Sequence, residues 1–413
     1  MKRRIKDYHP HPDQRAFHEA SKAGGNIIVT SSIRSGKTFG LIHDAIRYAW
    51  NQPDEYAQTM IAAPTYRQLS TVVVKPMISK LKYYGLLQSY NGEDYEAVLK
   101  NGKHVVFRSL TDPDSAVRGL TAARIYVDEA AYTSKEAIDV LRGRLITTGG
   151  DMILITTPNG IGSWFYTDLI ETPLPNTTYL KFKLENNPAI NEEKIRELRQ
   201  IYDPLLAKQE LEGEWVNLYG DQVYYQFSDE NIKSHYQTTE QIYVGLDFNL
   251  DKNAWVALQQ TSTRTLKILG EGYGARTTAD AAQQIIQRYG NKVVIIPDPT
   301  GKNRIQGTAT THIQMLKQAG LPRVLDRESN IPRTERYALV NSLFLNALGE
   351  RRILIDPSCT RLIKELRELA FKPGTDVPNN KGDRVGHITD ALGYCCFYVT
   401  GGTIGKLKTQ KDI

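Results

Sequence analysis

Gly36-Lys37-Thr38 stands between a β-branched run and a helical pattern, and these residue types at this spacing could handle a phosphate. The surrounding stretch, IIVTSSIRSGKTFGL at 27–41, reads as strand, tight turn and helix. At such a junction the first free N–H groups of the helix point toward an anion, and a lysine beside them can reach a terminal phosphate. Counted against G-x-x-x-x-G-K-[ST], Ser31 takes the place of the first glycine, and Arg34 and Ser35 lie inside the loop. Ser31, Arg34, Ser35, Gly36, Lys37 and Thr38 are therefore the expected phosphate-side residues.

A phosphate loop of this kind needs a second strand that ends in carboxylates, to hold a cation and orient water. RIYVDEAA, at 124–131, supplies Asp128 and Glu129 directly after an apolar run. Adjacent acids at a buried strand end are costly without a cation, so Asp128 is assigned to Mg²⁺, with Thr38, and Glu129 to the base that aligns water. DMILITTPNG, at 151–160, is a third strand whose tip carries Thr156 and Thr157, hydroxyls able to sense a terminal phosphate. IAAPTYRQLS, at 61–70, reads as one more strand-to-helix unit. Strands alternating with helices predict a parallel, doubly wound α/β sheet with its ligand at the strand C-termini.

The C-terminal half carries a different constellation. QIYVGLDFN ends a strand at Asp247, KVVIIPDPTG ends another at Asp298, and GHITDALGYCCFY places His387 and Asp390 one helical turn apart. Three carboxylates from two strand ends and a late helix suit two divalent cations with oxygen ligands, Mg²⁺ or Mn²⁺, of the kind that hydrolyse phosphodiesters. Taken by itself His387 could be a plain helix-surface histidine, and Asp251 and Asp383 are solvated bystanders. Lys302, Arg304, Arg323, Arg327, Arg333, Arg336, Arg351 and Arg352 form a basic set expected to track a polyanion's phosphates. The loop at 371–384 could gate the centre.

Positioning two such sites takes more than one domain, and 413 residues allow two or three. A hydrophobic content of 40% with 24% charged residues is that of a globular chain. No run approaches a membrane span, and the basic start MKRRIKDYHPHPDQ has no apolar core of a secretory signal. Three cysteines exclude a disulfide framework and show no metal spacing, so the chain reads as intracellular. The net charge of +6 suits a polyanionic partner. Residues 191–215 read as helical, followed by an aromatic, turn-rich stretch. The expected division is a phosphate-loop domain at 1–205, a linker subdomain at 206–235 and a domain holding the three-carboxylate centre at 236–413.

Taken together, Ser31…Gly36-Lys37-Thr38, Ser115-x-x-Arg118-Gly119, Val127-Asp128-Glu129-Ala130 and Thr156-Thr157 resemble the ATPase of phage large terminases, the DNA-packaging motors of tailed bacteriophages. In that family the first glycine is often replaced and a loop arginine is usual. The resemblance implies a RecA/ASCE-like ATPase domain using ATP with Mg²⁺, followed by an RNase H-like nuclease domain. It implies an adenine-side Gln14, an accessory metal role for His387, and an Arg118 that acts across a subunit boundary, with Arg142 and Arg144 as further candidates. The implied partners are double-stranded DNA, a portal protein and a small terminase subunit. The implied assembly is a pentameric ring on the procapsid and a monomer in dilute solution. The implied setting is the host cytoplasm, transiently at the portal, and not the mature virion. A repair helicase fused to a nuclease would need a second RecA-like domain, where this sequence offers acids. A structural DNA-binding protein with a relic ATPase would lack ATP turnover.

Overall fold

The computed structural model describes residues 8–54, 56–113, 117, 119–218, 220–249, 252–304, 310–325, 331–372, 375–379 and 386–401. The chain divides into two compact units, one of Met1–Glu192 with Lys208–Asn217, the other of Glu193–Ala207 with Leu218–Ile413. Residues 206–235 are thus shared between them. The helical stretch expected at 191–215 is two helices, Glu192–Ile201 and Pro204–Glu212. Pro204 cannot continue the first helix and begins the second. Asp203 Oδ1 caps that start, accepting from Leu205 N and Leu206 N at 2.9 and 3.1 Å.

In the first unit, eight strands form one sheet: β1 Asn26–Ser31, β2 Gln58–Ala63, β3 Leu87–Asn91, β4 Glu96–Leu99, β5 His104–Ser109, β6 Ala122–Asp128, β7 Asp151–Thr156 and β8 Thr177–Phe182. Their order is β3-β4-β5-β2-β6-β7-β1-β8, parallel from β5 to β8 with an antiparallel β3–β4–β5 edge. Successive side chains leave a strand on opposite faces. Ile27, Val29 and Tyr126 accordingly pack with Phe17 and Leu41 of helices α1 (Pro12–Ala23) and α2 (Lys37–Asn51). Ile28, Ile125 and Val127 face Ile138, Leu141 and Phe165 on the other side. Both faces are covered, so the central strands are apolar without alternation, as β6 shows with every residue buried. Strand β7 lies between β6 and β1, and the three deliver Asp128, Thr156 and Ser31 to one edge.

The second unit is built on β9 Ile242–Asp247, β10 Asn253–Gln260, β11 Leu266–Ala275, β12 Val294–Pro297 and β13 Ile353–Ile355, in the order β12-β9-β10-β11-β13. The first three are antiparallel neighbours, and β12 runs parallel to β9. Helix Thr278–Tyr289 covers one face, and helices Arg333–Phe344, Thr360–Glu368 and His387–Val399 the other. The last helix crosses β9 very closely. A Cβ on Gly245 would lie 2.0 Å from Ala391 O, so only glycine lets helix and strand meet there. The short β13, parallel to β11, has no counterpart in the sequence expectation.

Candidate functional sites

The loop after β1 is held from three sides. Gln14 Nε2 donates to Gly36 O at 2.9 Å and His11 Nε2 bonds Ser35 O at 2.9 Å. Ile33 N donates to Glu210 O at 2.7 Å, and Ser32 N to Phe182 O at 3.2 Å. Gly36 has φ +86°, and a Cβ there would come within 2.9 Å of Gln14 Nε2. Gln14, the adenine-side residue that the resemblance implies, is buried with Oε1 accepting from His11 N, and its amide also braces the loop. Arg34 is exposed in a left-handed conformation (φ 52°), its carbonyl accepting from Asn187 Nδ2.

Ser31, in the place of the first glycine, is buried and donates through Oγ to Thr156 O at 3.3 Å. The close approach falls to Gly213 (φ +65°), where a Cβ would lie 2.9 Å from Ser32 N and 3.0 Å from Ser31 C. Neither Gly213 nor His11 was singled out from the sequence. Both act through contacts far along the chain, although a His-Pro-Asp-Gln run opening a helix is a local capping signal.

At the strand tips the chemistry converges. Lys37 Nζ lies 3.0 Å from Glu129 Oε1 and donates to Thr157 Oγ1 at 2.8 Å. Thr157 N donates to Glu129 Oε2 at 3.2 Å. Glu129 has φ 55°, a conformation that costs a non-glycine residue about 1–3 kcal/mol and clusters at functional positions. Thr38 Oγ1 donates to Asp128 Oδ2 at 2.9 Å, whereas Asp128 Oδ1 and Ser35 Oγ are buried with no hydrogen-bond partner among the described residues. Burial, then the Glu129 charge, push the Asp128 carboxyl above its usual range, against Lys37 and Thr38. A buried, unsatisfied carboxylate oxygen beside a hydroxyl is a donor set that fits Mg²⁺, and a cation there would restore the ionised form.

Ser115, Arg118, Asp251, Arg327 and Asp383 lie outside the described residues, as do parts of the 371–384 loop. Arg142 is half-buried and pairs with Asp139 at 3.2 Å, while the Arg144 carbonyl accepts from Ala122 N.

In the second unit, parallel pairing of β9 and β12 brings Asp247 and Asp298 side by side. Asp298 N donates to Leu246 O at 2.9 Å, and Phe248 N to Asp298 Oδ2 at 3.0 Å. Asp298 also caps the turn that follows, accepting from Thr300 N at 2.6 Å. The close crossing at Gly245 sets the last helix over β9, so that His387 Nδ1 reaches Asp247 Oδ2 at 3.0 Å. Asn249 Nδ2 donates to His387 Nε2 at 2.8 Å. Asp390 Oδ1 accepts from Arg336 Nη1 at 2.8 Å, and the guanidinium lies 4.1 Å from the Tyr394 ring centroid. The three acids, His387, Arg336 and Tyr394 line one cavity of about 720 Å³.

Burial, opposed by the His387 hydrogen bond and helped by the charges of Asp390 and Asp298, pushes Asp247 up to about 7. That hydrogen bond in turn raises His387. Among the described residues no three His, Cys, Asp or Glu side chains form a ready-made cage for one ion. The donor set is nonetheless apt: carboxylate oxygens on one wall, one of them driven toward its neutral form for want of a counter-charge.

Much of the expected basic track has other employment. Arg336 is buried on Asp390, Arg351 pairs with Glu230, Arg352 reaches Arg264 O, and Arg323 bonds Gln241 and Lys292 O. Sequence shows the charges but not these distant partners.

A parallel-sheet unit with a phosphate loop is thus followed by a second unit whose strand ends and last helix bring three carboxylates to one cavity. The family described as "Terminase large subunit, T4likevirus-type, N-terminal" matches residues 28–232. Over those residues, just under half of the chain, it is similar to the phage terminase large subunits. It is similar to the solved large terminase of a thermophilic bacteriophage, with 18% identity, a TM-score of 0.64, and coverage of 95% of this chain and 100% of that one. The same phage's terminase in complex with ADP gives 18% and 0.63, covering 94% and 99%. Its complex with ATP-γ-S gives 18% and 0.60, covering 94% and 98%. At this identity the likeness establishes the fold. No curated protein matches the sequence.

Proposed function

We propose that this chain hydrolyses ATP with Mg²⁺ to drive double-stranded viral DNA into a procapsid, and cuts concatemeric DNA at its second centre. The observation that carries the reading is the convergence of Lys37, Thr38, Asp128, Glu129 and Thr157 at three adjacent strand tips. The loop amides around Gly36, with Ser31, Arg34 and Ser35, receive the phosphates. Lys37 exchanges Glu129 for the terminal phosphate, and Glu129, released, aligns water. Thr38 and Asp128 would hold Mg²⁺, which supplies charge neutralisation at the phosphates. Thr157, bonded to both Lys37 and Glu129, registers the exchange.

In the second unit Asp247, Asp298 and Asp390 would hold two divalent cations, Mg²⁺ or Mn²⁺, which supply charge neutralisation at the attacking and leaving oxygens of a phosphodiester. His387 orients Asp247. Arg118 completes a neighbouring subunit's ATPase site in a portal-docked ring, so the dilute monomer is a slow ATPase. The small subunit selects the DNA. The work is done in the host cytoplasm, transiently at the portal, and not in the mature virion. ATP turnover and Mn²⁺-dependent nicking of supercoiled plasmid, compared for wild type, Lys37→Ala and Asp298→Asn, test the assignment. Each variant should lose one activity and keep the other; loss of neither refutes it.

A further inference from the structure

Residues 56–92 contain no Asp or Glu, yet hold Arg67, Lys75, Lys80 and Lys82. After β2 this stretch is helical from Tyr66 to Tyr83, as Tyr66–Gln68, a π-helical Leu69–Val74 and Lys75–Tyr83. One face, with Leu69, Val73, Met77 and Leu81, is buried in the core. The opposite face exposes Arg67, Thr71, Lys75, Ser79 and Lys82, a continuous stripe of cations and hydroxyls at successive turns. Tyr66 and Tyr83, exposed by 55% and 66%, flank it. Among the described residues, Arg67, Lys75 and Lys82 have no ion-pair partner.

We infer that this face grips the backbone of duplex DNA without reading its sequence, an inference that rests on the packaging function proposed above. Eight residues of helix separate Arg67 from Lys75 and seven separate Lys75 from Lys82, roughly 12 and 10 Å along the axis. The major groove is about 12 Å wide, so such cations can contact phosphates on both of its rims. The Ser79 hydroxyl, between Lys75 and Lys82, is a further donor for such phosphate contacts, which position a protein on the duplex without reading its sequence. An acid-free, unpaired surface is what a polyanion selects and what an ordinary solvated helix, with its interspersed acids, does not provide. The helix also starts where β2 ends, and Ala62 of β2 pairs with Val127, the residue before Asp128. Grip on DNA is thereby rooted beside the hydrolytic carboxylates, and a π-helical turn within the segment is a common mark of a functional site.

The test uses the full chain with a fluorescent 30-base-pair duplex in EDTA, titrated at several salt concentrations. Arg67→Glu/Lys75→Glu/Lys82→Glu, and the same three changed to Gln, should weaken binding at least tenfold. The Gln variant should flatten the log–log salt dependence by about 2–3, near 0.9 for each lost phosphate contact. ATP turnover without DNA should stay at the wild-type level, because these side chains lie outside the nucleotide site. Variants that match the wild type in affinity and salt slope overturn the inference. So does retention of duplex binding with loss of binding to polyglutamate or to anionic vesicles, which would assign the face to another partner. A wild type that hydrolyses ATP and binds duplex beside unaffected variants refutes this face alone. A wild type that does neither refutes the packaging reading with it.

Discussion

Lys37 and Glu129 form an ion pair 3.0 Å long at the centre of the ATPase site, and Thr157 bonds both partners. In the proposed reaction, the lysine that meets the phosphate is thus held by the carboxylate that aligns the water. Nucleotide binding has to break that pair, which makes it a latch: the base is released only when the phosphate arrives.

Glu129→Gln should consequently bind ADP more tightly than wild type, by about three- to tenfold, since weakening a partly buried pair by about 1 kcal/mol changes affinity by that order. Hydrolysis should fall at least a hundredfold in the same variant. Titration with ADP separates the two effects, because no turnover occurs. Unchanged ADP affinity would show that the pair does not oppose binding. Lys37→Ala should lose ATP turnover and keep metal-dependent cleavage.

The serine at the first loop position is accommodated because the glycine is supplied by the opposing segment. Gly213→Ala would thrust a methyl to within 2.9 Å of Ser32 N, at a φ of +65°. Overpacking of this kind costs about 1–3 kcal/mol, and the backbone of the loop must yield. Nucleotide affinity should drop about tenfold in this variant, while Ser31→Gly changes it by less than threefold. A Gly213→Ala protein with wild-type ADP affinity would disprove the close-packing argument.

Local signals in the sequence were enough for the strand ends. Ile27–Val29 and Ile125–Val127 are β-branched or aromatic runs that stop at polar tips, and glycine-lysine-threonine marks where the helix begins. The acids at Asp247 and Asp298 follow the same rule of an apolar run ending in a carboxylate. Contacts that join distant segments were not legible. Arg336 looks like one more surface cation until the fold buries it on Asp390, and Gly213 is an ordinary glycine until it meets Ser31. The helix break at Pro204 could have been read, since proline seldom lies inside a helix.

For the nuclease centre, Asp247→Asn, Asp298→Asn and Asp390→Asn should each remove most Mn²⁺-dependent plasmid nicking while ATP turnover persists. Asparagine suits Asp298 better than alanine because its one carbonyl oxygen still accepts from Thr300 N, although the bond from Phe248 N to the second oxygen is lost. Alanine there would also forfeit a cap worth about 1 kcal/mol, lowering the melting temperature and confusing the readout. His387→Ala should reduce nicking more mildly, since it acts through Asp247. Two of the three asparagine variants cutting at the wild-type rate would rule out the three-acid site.

Arg336→Gln should affect the same centre from beneath. Its guanidinium is buried against Tyr394 and is the hydrogen-bonded partner of Asp390. Removing a buried charge while leaving its partner typically costs about 3–5 kcal/mol, so thermal stability without metal should fall clearly. Millimolar Mn²⁺ should recover part of the loss, because a divalent cation can take over the charge of Asp390. A melting curve indifferent to Mn²⁺ in this variant would argue that Asp390 is not a metal ligand.

Stability should depend on pH through His43 of α2. The ring stacks on Tyr8 at 3.8 Å, and its nitrogens bond Phe39 O and the Tyr84 hydroxyl. Burial, reinforced by the nearby charges of Lys80 and His18 and opposed by the Phe39 carbonyl, lowers its pKa to about 4. In the unfolded chain the ring titrates near its ordinary value of about 6.5. The unfolded state therefore binds the proton first as pH falls. The advantage of the folded state is complete above about 6.5, declines between there and about 4, and is gone below. Allowing for solvent screening, the swing is on the order of 2 kcal/mol. Denaturant unfolding from pH 8 to 4 should show this slope in wild type and a shallower one in His43→Phe, which keeps an aromatic ring for Tyr8 but cannot titrate. Carboxylates contribute acid lability to both proteins alike, so the difference between the two curves isolates the histidine. Parallel curves across pH 6.5–4 would mean that His43 is protonated as readily folded as unfolded.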